Sequence, residues 1–161
     1  EIAESYPQIG AKEAYIDAFT MWLVRDPEDL DVVVLPNMFG DIATDLASVL
    51  QGGMGMAASA NLGDKHMMFE PVHGSSPKHA GKNRVNPIAM LSSLQLMLEN
   101  LSLRHDDPLL DKYGNILQQA ISQHLSSDGP KTYDIGGTGT TSEVGDAIAD
   151  RVRTLLKNEK A

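Results

Sequence analysis

The stretch from Asp31 to Met56, DVVVLPNMFGDIATDLASVLQGGMGM, constrains the chain most. Val32 to Leu35 is a short continuous apolar run closed by Pro36-Asn37. Such a run predicts a strand buried on both faces. A helix follows from about Gly40, with Ile42, Leu46, Val49 and Leu50 at i, i+4, i+7 and i+8 as its core face. Asp41, Asp45 and Ser48 fall on a different face, the two carboxylates one helical turn apart. Asp41 alone reads as a first-turn acid complementing the helix dipole. That effect fades beyond one turn and covers Asp45 less well. Two carboxylates on one face of a helix that follows a strand point to a hard-cation site. Gly52, Gly53 and Gly55 then break the helix.

Composition limits the partners. The 161 residues suffice for one core. There is no cysteine, which excludes disulfides and thiolate metal sites and fits a reducing, cytoplasmic location. With 22 acidic against 13 basic residues the net charge is −9. That argues against nucleic acid or an anionic membrane as the main partner. No apolar run is long enough to span a bilayer, and no secretory signal is visible. The chain opens on Glu1 rather than Met, which fits a processed N-terminus or a piece of something longer.

Ala11 to Val24 reads as a helix, with Tyr15, Ile16, Phe19, Trp22 and Leu23 as its apolar stripe. Met21 and Val24 add apolar surface on the side of Asp17, so Asp17 is expected among apolar neighbours and needs a partner there. A hydrogen-bonded structural aspartate is the plainer reading; a metal or base role is the other. Met56 to Gly63 reads as a crossing between layers, and Met67 to Phe69 as a strand. Glu70 to Pro77, with two prolines and a glycine, cannot be helix. Lys78, His79, Lys82 and Arg84 follow closely. In so acidic a chain this basic group reads as a solvated loop or as a phosphate grip. Asn86-Pro87 and Asp107-Pro108 open two long helices. Tyr133 to Ile135 reads as extended. Thr140 and Glu143 have capping-box spacing before a final amphipathic helix.

Several of these motifs together resemble the β-decarboxylating dehydrogenases, the family of isocitrate, 3-isopropylmalate, homoisocitrate and tartrate dehydrogenases. The resemblance rests on Asn37 to Ala47 (NMFGDIATDLA), Gly52 to Met56 (GGMGM), Glu70 to Pro77 (EPVHGSSP), Ala80-Gly81-Lys82, Asn86-Pro87 and Tyr15-Ile16-Asp17-Ala18. It covers essentially the whole chain and only the C-terminal half of the family. It implies a two-lobed α/β fold that is not a Rossmann fold. Residues 1–52 would end the smaller, dimer-forming lobe, and residues 53–161 would belong to the larger, nucleotide-binding lobe. Two helices of the smaller lobe would pair with their copies in a homodimer with shared active sites. The family's substrate arginines, acidic tyrosine and catalytic lysine lie outside the matched part. A molecule of these residues alone is therefore expected to be incomplete and inactive.

By the same resemblance Asp41 and Asp45 bind Mg²⁺ or Mn²⁺. Asp17, supplied by the partner protomer, completes the metal site and takes part in proton transfer. His73 and Asn86 would contact the adenine, Gly74, Ser75 and Ser76 the phosphates and ribose, and Glu70 would lie near the nicotinamide ribose. NAD-specific members usually carry aspartate at the position of Lys78, and NADP-specific members Lys followed by Tyr. Lys78-His79 here favours NADP, with NAD the alternative. Asp134-Ile135-Gly136-Gly137 with Thr140 and Glu143 is similar to the isopropylmalate-type ending. A β-carboxy 2-hydroxy acid of that type is the first expectation; isocitrate, homoisocitrate or tartrate type, or a non-catalytic family member, are the alternatives.

Overall fold

A computed structural model describes residues 2–158. The chain divides into two compact units, Glu1–Ala47 and Ser48–Ala161.

The first unit is built on α1 (Ile16–Arg25) and α2 (Asn37–Ser48). Phe19 and Leu23 of α1 and Ala43 of α2 are buried together, with Ile16, Leu30, Leu35, Leu46 and Ala47 around them. Lys12 lies over the Trp22 ring at 4.1 Å, a cation–π contact. Four expectations change here. The helix expected from Ala11 begins at Ile16, after an extended Tyr15. Val32 to Leu35 forms no strand, and Val32, Val33 and Val34 are exposed. An apolar run becomes a strand only with a hydrogen-bonding neighbour, and none is supplied among the described residues. The core face of α2 is narrower than its periodicity predicts: Ile42, Val49 and Leu50 are exposed and the buried contact is Ala43. Val49 and Leu50 lie in a 3₁₀ turn beyond α2, where the 3.6-residue period no longer applies. On α1, Met21 and Val24 are exposed as well.

The second unit begins with an antiparallel hairpin, β1 (Ala58–Leu62) and β2 (Met67–Pro71). Its register runs from Ala58 opposite Pro71 to Leu62 opposite Met67. The stretch read as a crossing between layers is thus half of a hairpin. Two strands alone are marginal in water. This pair rests on α3 (Ile88–His105), whose Arg104 donates from its two Nη atoms to the carbonyls of Gly63 (2.7 Å) and Lys65 (3.2 Å) in the hairpin turn.

Helices α3, α4 (Pro108–Leu125) and α5 (Thr141–Asn158) pack in sequence order. Ile88, Leu117, Ala120, Ile121, Val144 and Ile148 form their common core. Each large aliphatic side chain buried there contributes about 1.5–3 kcal/mol. The start signals act as the sequence predicts. Asp107 accepts the Leu109 N–H at 2.9 Å, and Asn86 Oδ1 accepts the Ile88 N–H at 3.0 Å. Thr140 and Glu143 close a reciprocal capping box. Tyr133 to Ile135 is a 3₁₀ turn rather than an extended piece. Thr132 O accepts both the Ile135 and the Gly137 N–H, and that local pairing coils the segment.

Candidate functional site

Two groups of residues carry chemistry, one in each unit. In the first unit, Asp41 and Asp45 stand one turn apart on α2, both exposed. Asn37 Nδ2 donates to Asp41 Oδ2 at 3.1 Å, holding that carboxylate from the turn before. Asp17 sits in the first turn of α1, and its Oδ1 accepts the Ala18 N–H at 2.8 Å. It is exposed, not enclosed by apolar side chains as its sequence context suggests. The reason is that Met21 and Val24 beside it are themselves exposed. Among the described residues no three His, Cys, Asp or Glu side chains converge on one point. Asp41 and Asp45 therefore offer two hard oxygen donors on one face. Mg²⁺ and Mn²⁺ fit that donor set, because such ions often use one or two carboxylates and fill the remaining positions with water or substrate oxygens.

In the second unit, the chain from Glu70 to Asn86 leaves β2, turns through a 3₁₀ segment at Pro77–His79 and enters α3. Three of its residues take left-handed backbone conformations: Ser76 (φ 46°), Gly81 (φ 72°) and Asn83 (φ 49°). They let the loop reverse direction sharply between β2 and α3. Glu70, Gly74, Ser75, Ser76 and Lys78 are exposed along it. His73 is half-buried, and its Nδ1–H donates to the Gly74 carbonyl at 2.9 Å. His79 Nδ1 is buried with no hydrogen-bond partner among the described residues. A bound polar group would satisfy that orphan. Asn86 is 6% exposed, and its amide is engaged at both ends: Oδ1 by Ile88, Nδ2 by Asp134 (3.0 Å) and by the Met56 sulfur (3.4 Å).

The fold adds contacts that the motifs did not single out. The Tyr133 ring lies edge-on to His79, with centroids 5.9 Å apart, and the Arg84 guanidinium sits 4.3 Å from the same ring. Asn83 holds the start of α5 through Ser142, and Thr141 Oγ1 donates to the Val85 carbonyl at 2.6 Å. Gly55 is part of the same knot: a Cβ there would stand 2.7 Å from Asp134 Oδ2 and 3.1 Å from Asn86 Cβ. The only signal for this in the sequence is the glycine in GGMGM, which reads equally well as a helix breaker.

Comparison with known proteins agrees with these motifs. The sequence model of the isocitrate/isopropylmalate dehydrogenase family matches residues 1–148. The chain belongs to the isocitrate/isopropylmalate dehydrogenase family. It is 41% identical over 149 residues to a 3-isopropylmalate dehydrogenase of Methanothermobacter thermautotrophicus, covering 92% of this chain and 43% of the relative. It is 39% identical over 157 residues to a regulatory subunit of the mitochondrial NAD isocitrate dehydrogenase of Dictyostelium discoideum, covering 97% and 42%. Among solved structures, isocitrate dehydrogenase from Methylococcus capsulatus superposes with a TM-score of 0.85 at 36% identity, covering 94% of this chain and 43% of that one. The α/β fold is that of these dehydrogenases. The chain spans less than half the length of the curated relatives it matches. No helix among the described residues is long and apolar enough to cross a membrane.

Proposed function

We propose that this chain contributes the metal-binding carboxylates and the dinucleotide loop of a β-decarboxylating dehydrogenase acting on a β-carboxy 2-hydroxy acid of the 3-isopropylmalate type. The carrying observation is the exposed pair Asp41 and Asp45 on one face of α2. Hydride leaves the carbinol carbon for the nicotinamide, the hydroxyl loses its proton, and the resulting β-keto acid releases carbon dioxide, leaving an enolate that takes up a proton to give the ketone. A divalent cation, when bound, stabilises the negative charge that develops on the substrate oxygens. Asp41 and Asp45 would hold it from one protomer and Asp17 from its partner, in a homodimer. The exposed Met21, Val24 and Ile42 on these two helices support that pairing. Glu70, His73, Gly74, Ser75, Ser76, Lys78, His79 and Asn86 form the dinucleotide loop, with Lys78 favouring the 2′-phosphate of NADP.

Full-length protein assayed with NADP and NAD against isopropylmalate, isocitrate, homoisocitrate and tartrate, with and without Mn²⁺, tests this reading. Metal-dependent reduction with isopropylmalate is expected. Turnover that survives chelation refutes the metal role of Asp41. A second reading, a non-catalytic family member, is favoured by the likeness to a relative named as regulatory. The presence of all three acids Asp17, Asp41 and Asp45 favours catalysis over it.

A further inference from the structure

His124, next to last in α4, is fully buried, and neither ring nitrogen has a hydrogen-bond partner among the described residues. An unpaired polar ring in a packed interior is costly and needs a reason. Its surroundings are tightly tied. A Cβ on Gly129 would lie 3.4 Å from the imidazole Cε1 and Nδ1. Ser127 Oγ donates to the His124 carbonyl at 2.8 Å and accepts from Arg151 Nη2 of α5 at 2.7 Å. The charged groups acting on the ring are Arg151 of α5 and Lys131 of the following loop, both positive. Burial and these two cations disfavour the imidazolium. The Pro130 carbonyl acts in the opposite sense without meeting hydrogen-bond geometry.

The chain beyond Pro130 has no slack. Lys131 O accepts the Gly139 N–H at 2.7 Å, and Thr132 O accepts the Gly137 N–H at 2.9 Å. A Cβ on Gly137 would fall on the Lys131 carbonyl. The next two residues, Tyr133 and Asp134, are the ones that touch His79, Arg84 and Asn86 of the proposed dinucleotide loop. A displacement at Pro130–Lys131 therefore reaches that loop within three residues.

We propose that His124 is a positioning residue for the dinucleotide loop: as the neutral imidazole it seats the Gly129–Thr132 segment, and its protonation beside Arg151 and Lys131 unseats the segment and, through Tyr133 and Asp134, weakens dinucleotide binding. The proposal rests on the functional reading given above for residues 70–86. The test uses full-length protein and two readouts. One is hydrogen exchange of residues 130–139, corrected for intrinsic rate. The other is the dissociation constant of NADPH. Both are followed from about pH 7.5 to about pH 5.5, the range in which histidines titrate.

The wild type is expected to lose protection and affinity about tenfold on acidification, while folded His124→Gln keeps the protection of residues 130–139 and loses less affinity than the wild type, the remaining loss being that of the loop histidines and the NADPH 2′-phosphate. Lys131→Gln, which leaves the ring in place but removes a facing cation, shifts the loss to higher pH. Unchanged protection of residues 130–139 across the range in the wild type, or an unshifted transition in Lys131→Gln, overturns the proposal. Absence of NADPH and NADH binding at every pH refutes the dinucleotide reading, and with it the link to the loop. The exchange data then judge the seating by itself.

Discussion

Asn86 donates from Nδ2 to Asp134 Oδ2 at 3.0 Å, joining segments 48 residues apart in the chain. The pair ties the entry of α3 to the turn before α5, and Asn86 is nearly inaccessible. Replacing Asn86 with Asp sets two carboxylates against each other and removes a charge-assisted hydrogen bond. The expected cost is about 2–3 kcal/mol, measured as a lower midpoint in urea unfolding. Dinucleotide affinity should fall in the same variant at temperatures where it is still folded.

Gly55 and Gly145 separate packing from propensity. Gly55→Ala places a methyl against Asp134 and Asn86 and is expected to destabilise by about 1–3 kcal/mol. Gly145 lies inside α5, and among the described residues a Cβ there meets nothing within 4 Å beyond its chain neighbours and the adjacent helix backbone. Gly145→Ala should stabilise by up to about 1 kcal/mol through helix propensity alone. Thermal unfolding of both variants checks the opposite signs.

Stability should fall with acid in a window set by His124. Burial holds its imidazole below the usual histidine range in the folded state, so the unfolded chain binds the proton first. The folded state is thus favoured above about pH 6.5, and the contribution is lost as pH drops below it. Urea midpoints between about pH 5 and about pH 8 should slope accordingly in the wild type, less in His124→Gln. A slope of the opposite sign would contradict the burial of this ring.

Lys78 is exposed on the proposed dinucleotide loop. Lys78→Asp replaces a phosphate partner with an acceptor for a ribose hydroxyl. The ratio of kcat/KM for NADP over NAD should fall by about 10- to 100-fold in full-length protein, the equivalent of about 1.4–3 kcal/mol. An unchanged ratio would remove Lys78 from cofactor choice.

Much of this molecule is legible as sequence because its signals are local. Asp107, Asn86 and the Thr140–Glu143 pair set helix starts by bonding to backbone groups within three residues. Asp41 and Asp45 share a face because a helix repeats in 3.6 residues. The family is legible because its motifs are contiguous.

What the sequence by itself determined, then, is where α3, α4 and α5 start, which carboxylates stand together and which family the chain joins. Tertiary structure alone decided the rest. Val32 to Leu35 has the composition of a buried strand, yet it forms none and Val32, Val33 and Val34 lie exposed, because a strand is completed by a neighbour that its own residues cannot specify. Met56 to Gly63 reads as a passage between layers and contributes instead the first strand of a hairpin, since its pairing partner lies beyond a turn. Asn86 meets Asp134, Tyr133 meets His79, and His124 is buried where the loop after α4 and the Arg151 end of α5 come together. Those contacts join residues dozens of positions apart, and only packing brings them within reach.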